Sequence, residues 1–336
     1  MLYLLLAYQN ERMLISDVER LGGQVTTEWH GPAWVRTNAR IYDLERPVGK
    51  WFKTDVKRVY LEGPQVTDAT LPRFSPPGNL RSLWLQKTAV TSTGLAAVKP
   101  LSSLEELGLG EMKVTDAGMQ SFSQLKRLKK LSLLGTQVTD SGLQSIDSLT
   151  NLQELWLQAN PITDMGLDAF SKLCNLKILI LDNSLITDAG LPALKPLSNL
   201  ETLSLTRLRI TDAGLLELKS LPKLKGLSLE GTRITDAGLT TLGSMPGLRF
   251  LQLNGTAITD RGVIALKSLS NLEGLSLEGT DVSDVGLEEL MSLPKLKFLS
   301  VLSTRTTPAG VARAQAKQPG MKFKKPGVPI MTKESR

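Results

Sequence analysis

Leucine, isoleucine and valine return at fixed places in a repeating unit of constant length that runs through most of the chain. In the stretch from Asn199 to Ser220, Leu200, Leu203 and Leu205 make the pattern L-x-x-L-x-L. Its last two leucines alternate with Thr202 and Ser204, as on a strand with one buried face. The same triplet stands at Leu80/Leu83/Leu85, Leu128/Leu131/Leu133, Leu152/Leu155/Leu157, Leu224/Leu227/Leu229 and Leu272/Leu275/Leu277. Three residues later comes a polar turn position, held by Thr88, Thr136, Asn160, Ser184, Thr232, Thr256, Thr280 and Thr304. A side chain stacked there can bond backbone groups of the bend and of the adjacent repeat. Pro64, Met112 and Leu208 break that column.

A β-branched residue follows, and then Thr-Asp-x-Gly-Leu or a close variant. Its first residue falls at Thr67, Thr91, Thr115, Thr139, Thr163, Thr187, Thr211, Thr235, Thr259, Ser283 and Thr307. Thr or Asp ahead of an apolar run is a helix N-cap signal. Runs such as Leu191, Leu194 and Leu197 then predict about two helical turns with one face inward. Proline at 196, 222, 246 and 294 ends the helix before the next strand. A period without insertions across eleven copies belongs to a stacked array, in which each unit meets only its neighbours.

From Val56 to about Lys325 the pattern resembles the leucine-rich repeats, L-x-x-L-x-L-x-x-(N/T)-x-L followed by a short helix. The resemblance implies an α/β solenoid, a horseshoe with a parallel β-sheet on its concave face and short helices on its convex face. The Ile-Thr-Asp-x-Gly-Leu variant is similar to long arrays of planctomycete bacteria, which implies a bacterial source. It also resembles the cysteine-containing subclass found in F-box receptors of ubiquitin ligases. That subclass carries cysteine on the turn ladder, where this chain has Thr, Ser or Asn, and no F-box pattern precedes residue 56.

Three regions are expected. Residues 1–55 form an N-terminal helix and an aromatic capping segment, 56–325 the array of eleven repeats with a degenerate C-terminal cap, and 326–336 a disordered basic tail. Met13, Leu14, Val18 and Leu21 lie at helical spacing before Gly22-Gly23, and Trp29, Trp34, Trp51 and Phe52 supply bulk to close the open core. A Gly-Pro-x-Trp stretch after Leu-Gly-Gly is similar to the segment preceding the first strand in planctomycete-like arrays. Phe323 falls one full period after Leu299, so Met321 to Lys324 is expected to form a twelfth strand.

The aspartates invite a chemical reading. Copies at Asp68, Asp116, Asp140, Asp164, Asp188, Asp212, Asp236, Asp260 and Asp284 stack one strand spacing apart. At ~5 Å such carboxylates repel by about 1 kcal/mol per pair or more. Capping of each one's own helix offsets that cost. A calcium ladder needs several oxygen ligands per ion, and one carboxylate per turn does not supply them. No metal and no cofactor are expected.

Composition narrows the rest. Hydrophobic residues make up 41% and aromatics 5%, which suits equivalent stacked positions. A single cysteine, Cys174, excludes internal disulfides, and a single histidine, His30, removes most histidine-based catalysis. Phosphate-loop, H-E-x-x-H and C-x-x-C motifs are absent from the sequence, so an enzyme is not expected. The net charge is +7 and much of it sits after residue 310, a distribution expected of a solvated terminus. Met1 to Tyr8 is apolar but too short to span a bilayer. The chain as it starts is therefore expected to be a cytoplasmic monomer, and membrane-anchored or secreted if a longer N-terminus carries an anchor.

The residues flanking the inward leucines should face the concave surface. Tyr60 with Trp84, and Trp156 with Ile178 and Ile180, put large apolar groups there, and Arg58, Lys130 and Glu154 join Glu106, Gln86, Gln158 and Asp182 as a polar rim. Most later positions are Ser or Gly, so the C-terminal half of that face looks bland. The leading expectation is a non-catalytic scaffold that binds a protein partner on the concave face. Two alternatives are a substrate receptor of an SCF-type ubiquitin ligase, and binding of nucleic acid or an anionic surface through the basic tail. Nucleic acid is the less expected partner.

Overall fold

The computed structural model describes residues 15–29, 54–74 and 80–323. The chain divides into two compact units, Met1–Leu152 and Gln153–Arg336. The apolar start, His30, Trp34, Trp51, Phe52 and the basic tail lie outside the described residues.

In the first unit the strands are β1 (Gln24–Trp29), β2 (Thr54–Glu62), β3 (Ser82–Gln86), β4 (Glu106–Gly108) and β5 (Lys130–Ser132). From β2 onward they run parallel and in register, Val59 beside Leu83, Leu107 and Leu131. β1 instead pairs antiparallel with β2, a strand that the repeat pattern did not announce. It follows a helix over 15–20 that buries Val18 completely. That helix ends at Gly22 in the left-handed conformation (φ 76°). Gly23 then passes so close to β2 that a Cβ would lie 2.5 Å from the Tyr60 carbonyl oxygen.

The second unit holds β6 (Glu154–Trp156), β7 (Ile178–Ile180), β8 (Thr202–Ser204), β9 (Gly226–Ser228), β10 (Phe250–Gln252), β11 (Gly274–Ser276), β12 (Phe298–Ser300) and β13 (Lys322–Phe323). All are parallel, with Leu155, Leu179, Leu203, Leu227, Leu251, Leu275 and Leu299 in one row. β13 pairs with β12 and supplies the degenerate last strand at the expected place.

Each repeat goes out through a short helix and returns. Asp236–Gly243 is α-helical, whereas Asp164–Phe170 and Asp188–Leu194 are 3₁₀. A 3₁₀ turn is tighter than an α-helix, which suits a stacking step set by strands ~4.8 Å apart. The leucines on the inner face of strand and helix meet in the core and are buried, whereas Leu216 points outward and is exposed. At the bend, the Oγ1 of Thr136, Thr232, Thr256 and Thr280 donates to the carbonyl three residues back at 2.5–3.0 Å. Met112 and Leu208 fill the same column with buried apolar bulk.

The sequence assigns the capping of the helices to Asp116, Asp140, Asp164, Asp188, Asp212, Asp236, Asp260 and Asp284, and at Asp140, Asp164, Asp188, Asp236, Asp260 and Asp284 the structure differs. The capping oxygen belongs to the preceding hydroxyl residue: Thr139, Thr163, Thr187, Thr235, Thr259 and Ser283 each accept from the N–H two residues on. An N-cap needs extended backbone, which Thr235 has (φ −122°, ψ −175°), while Asp236 already opens the helix. The carboxylate is thereby free to reach the next repeat. Asp212 accepts from the Thr235 N–H at 2.9 Å and from its hydroxyl at 2.6 Å. Asp116, Asp164, Asp188, Asp236, Asp260 and Asp284 do the same one repeat on. Each of these aspartates thus joins its repeat to the next, and those bonded to Thr139, Thr187, Thr235, Thr259, Ser283 and Thr307 hold the cap of the following helix in place.

Candidate functional site

Strand alternation puts the residues on either side of the buried leucines on the sheet face opposite the helices. In the first unit Tyr60 and Trp84 are register partners on adjacent strands, both half-buried. The Tyr60 hydroxyl lies 3.2 Å from both Glu62 Oε2 and Gln86 Oε1. Burial, and then the Glu62 charge, push that phenol above its ordinary value. The Trp84 indole N–H donates to Ser82 Oγ at 3.1 Å, and Ser82 donates to Glu106 Oε2 at 2.8 Å. The indole lies on Gly108 of the next strand, where a Cβ would overlap the ring. Trp84 is therefore laid flat across the sheet, not raised into solvent. Arg58 is exposed beside Ser82, and Lys130 stands half-buried beside Glu106.

In the second unit Trp156 pairs with Ile180 and Glu154 with Ile178, all half-buried. Within each unit the structure brings together the large side chains that the pattern placed on one face.

The C-terminal strands are less bland than their composition. Phe250 is half-buried and Phe298 is 40% exposed. The Arg249 guanidinium lies 5.6 Å from the Phe250 ring centre, and Lys322 Nζ lies 5.8 Å from that of Phe298. Glycine separates them in register: Gly226, Phe250, Gly274, Phe298. The signal for this lane was an alternation over two repeats, and a reading of one repeat at a time misses it.

Polar groups along the same face sort into two edges. At the strand starts, Lys225 pairs with Glu201 at 2.7 Å, and Arg249 and Lys297 pair with Glu273 at 2.7 and 2.8 Å. Hydrogen bonds from those cations hold Glu201 and Glu273 below the usual carboxylate range. At the strand ends the groups are acidic and amide. Ser204 Oγ and the Thr206 N–H donate to Asp182 Oδ1 at 2.5 and 3.0 Å, and Asn254 Nδ2 donates to Glu230 Oε2 at 3.0 Å.

Desolvation raises the Asp182 carboxyl above its ordinary value, against the lowering by its hydrogen bonds. The unfolded carboxyl ionises first as pH rises, so the folded state binds more protons in that window and Asp182 costs stability as pH increases through it. Asp182→Asn retains an oxygen for Ser204 and Thr206. Its melting temperature is expected to gain on the parent's as pH rises from acid to neutral, which a series of thermal melts checks. A constant difference across pH refutes the assignment.

A hollow of about 370 Å³ lined by Ala159, Asn160, Pro161, Asn183 and Leu185 is open and contains no titratable side chain. Among the described residues no group of three or more His, Cys, Asp or Glu side chains could hold a metal ion, and Cys174 is an exposed thiol. No helix among them is long and apolar enough to cross a membrane.

Comparison with known proteins agrees with this geometry. A family model described as Leucine Rich repeat matches residues 246–267, which span β10 and the helix Asp260–Val263 that follows it. Among curated proteins, none matches the chain. The crystal structure of an internalin (inlF) from Listeria monocytogenes is similar with a TM-score of 0.56 and 21% identity, over 80% of this chain and 86% of that one. That likeness is one of fold. An internalin C2 (inlC2) from the same species shows 30% identity over 65% of this chain and 84% of its own, with a TM-score of 0.46. With strands that return in register once per repeat and the family model seated on one of those steps, the chain is a leucine-rich repeat protein.

Proposed function

We propose that this protein is a non-catalytic scaffold that holds a protein partner on the open face of its sheet. The observation that carries this reading is the placement of Tyr60 with Trp84, and of Trp156 with Ile178 and Ile180, on the face where core packing does not require them. Partly exposed aromatic and branched residues grouped in this way mark recognition surfaces more often than isolated ones do. Arg58, Lys130 and Glu154 supply charged groups around them. Nearby strands offer little shape for chemistry, whereas a sheet face of regular rows suits a large, shallow contact. The repeat pattern and its planctomycete-like variant support a bacterial source.

The test changes Trp84 and Trp156 together to serine and compares affinity pull-downs with the parent. The double variant is expected to lose the partner while keeping its far-ultraviolet circular dichroism. Partners retained at parent levels by a folded double variant would sink this reading.

A further inference from the structure

Within the second unit two features of the open face repeat every two strands. The first is the aromatic row, Phe250 and Phe298, with Gly274 between them in register. The second is acidic: Glu230 and Glu278 follow the ends of β9 and β11, with Asn254 between them. Members of each row are two strand spacings apart, about 10 Å. The rows are offset by one strand, because Phe250 lies on β10 and Glu230 follows β9. Asn254 bridges the acids, donating to Glu230 at 3.0 Å and accepting from the Glu278 N–H at 3.0 Å. Ser300 adds a bond to Glu278 at 2.7 Å. Among the described residues no lysine or arginine pairs with Glu230, although the chain as a whole carries a net +7. The opposite edge, by contrast, satisfies its own charges with ion pairs. Between the two rows, the Ser276 hydroxyl is buried and has no hydrogen-bond partner among the described residues.

We propose that this face of the second unit takes an extended peptide in the polyproline II conformation, with a basic side chain and an apolar side chain at every third position. The proposal rests on the reading of the open face as a protein-binding surface and names the chemistry of the occupant there. Charge complementarity selects the basic side chains, which meet Glu230 and Glu278. The spacing of two strands selects the backbone. Three residues of polyproline II advance about 9 Å and return to the same edge of the helix. A β-strand returns to the same face after about 7 Å and falls out of step. An α-helix comes back after seven residues at a similar distance, but it uses its carbonyls internally. Polyproline II leaves its carbonyls unbonded for a donor such as the unpartnered Ser276 hydroxyl, and it docks readily against aromatic rings.

The test is fluorescence anisotropy of the full chain with a labelled peptide of repeating Arg-Leu-Pro. Controls are the same peptide with Glu for Arg, and one with Arg at every second position. The parent is expected to bind the first peptide, with affinity falling as salt rises, and to bind both controls at least about tenfold more weakly. Glu230→Gln with Glu278→Gln is expected to lose about tenfold, and Phe250→Ser with Phe298→Ser a similar factor. The glutamines keep side-chain oxygens for Asn254 and Ser300, so a loss in that variant reads charge and not misfolding. Equal binding of all three peptides, or parent-like binding by both folded double variants, overturns the proposal. The pull-down test of Trp84 and Trp156 changes other residues and reads another ligand, so either test can fail without the other.

Discussion

Leu227→Ala is expected to lower the stability of the second unit by about 2–5 kcal/mol, the range for a buried leucine cut back to alanine in a rigid core. Leu227 is solvent-free at the middle of β9, with Leu203 and Leu251 beside it in register. Those neighbours are tied to their own strands at the same step, so neither can move into the space left behind. The lost contacts are therefore retained as a cavity. In a stacked array a weakened central unit also uncouples the repeats on its two sides. Urea unfolding should show an earlier midpoint and a broader transition, because the repeats no longer unfold as one cooperative set. A midpoint within error of the parent's would show that the column relaxes in a way that its register does not suggest.

The second large effect concerns the Thr-Asp-x-Gly pattern itself. Gly238→Ala is expected to destabilise by about 1–3 kcal/mol, as overpacking of a filled site does. The added Cβ would overlap Asp212 Oδ1 and come within 2.9 Å of Leu215 Cδ1 and 3.0 Å of Ile234 Cγ2. Asp212→Ala alone removes two hydrogen bonds to Thr235 and should cost about 1.5–3 kcal/mol. The double variant should be more stable than the sum of the two losses predicts, since removing the carboxylate vacates the space that the methyl enters. A double-mutant cycle in urea reads this coupling, expected at about 1 kcal/mol. Strict additivity would mean that aspartate and glycine hold their places for unrelated reasons. The chain already carries a natural variant of the arrangement. Ser92 replaces the aspartate, its Oγ accepts from the Thr115 N–H at 2.9 Å, and at Gly118 the nearest atoms to a built Cβ are 3.1 Å away.

Much of the fold was legible because its signals are local and repeated. Leu203 and Leu205 alternate about Ser204, and the same alternation one period on sets the register of the next strand. The degenerate strand at Lys322–Phe323 could be read from that spacing alone. The rows of the open face were legible for the same reason, and Tyr60 does stand beside Trp84, as Trp156 does beside Ile180. The posture of a side chain on its row was not. Trp84 lies flat because Gly108, one repeat on, offers no Cβ to lift it, and that contact exists only once the strands are paired. The pairing of β1 with β2 carried no repeat signal, since β1 belongs to the segment before the array. The aromatic row at Phe250 and Phe298 was hidden for a different reason. Its period is twice that of the leucines, so each repeat taken singly shows an isolated phenylalanine or glycine.

By itself the sequence determined the period, the buried face of each strand, the turn column and the placing of Thr-Asp at the start of each helix. These follow from alternation along a strand and from the backbone needs of a helix end, both of which act within a few residues. Only the tertiary structure decided what the recurring spacing is for. An aspartate that opens one helix bonds the threonine that caps the next, and the glycine three residues after that threonine leaves room for the carboxylate. Such contacts join residues 23 to 26 positions apart, and no local preference encodes them until stacking brings one repeat to hydrogen-bonding distance of another.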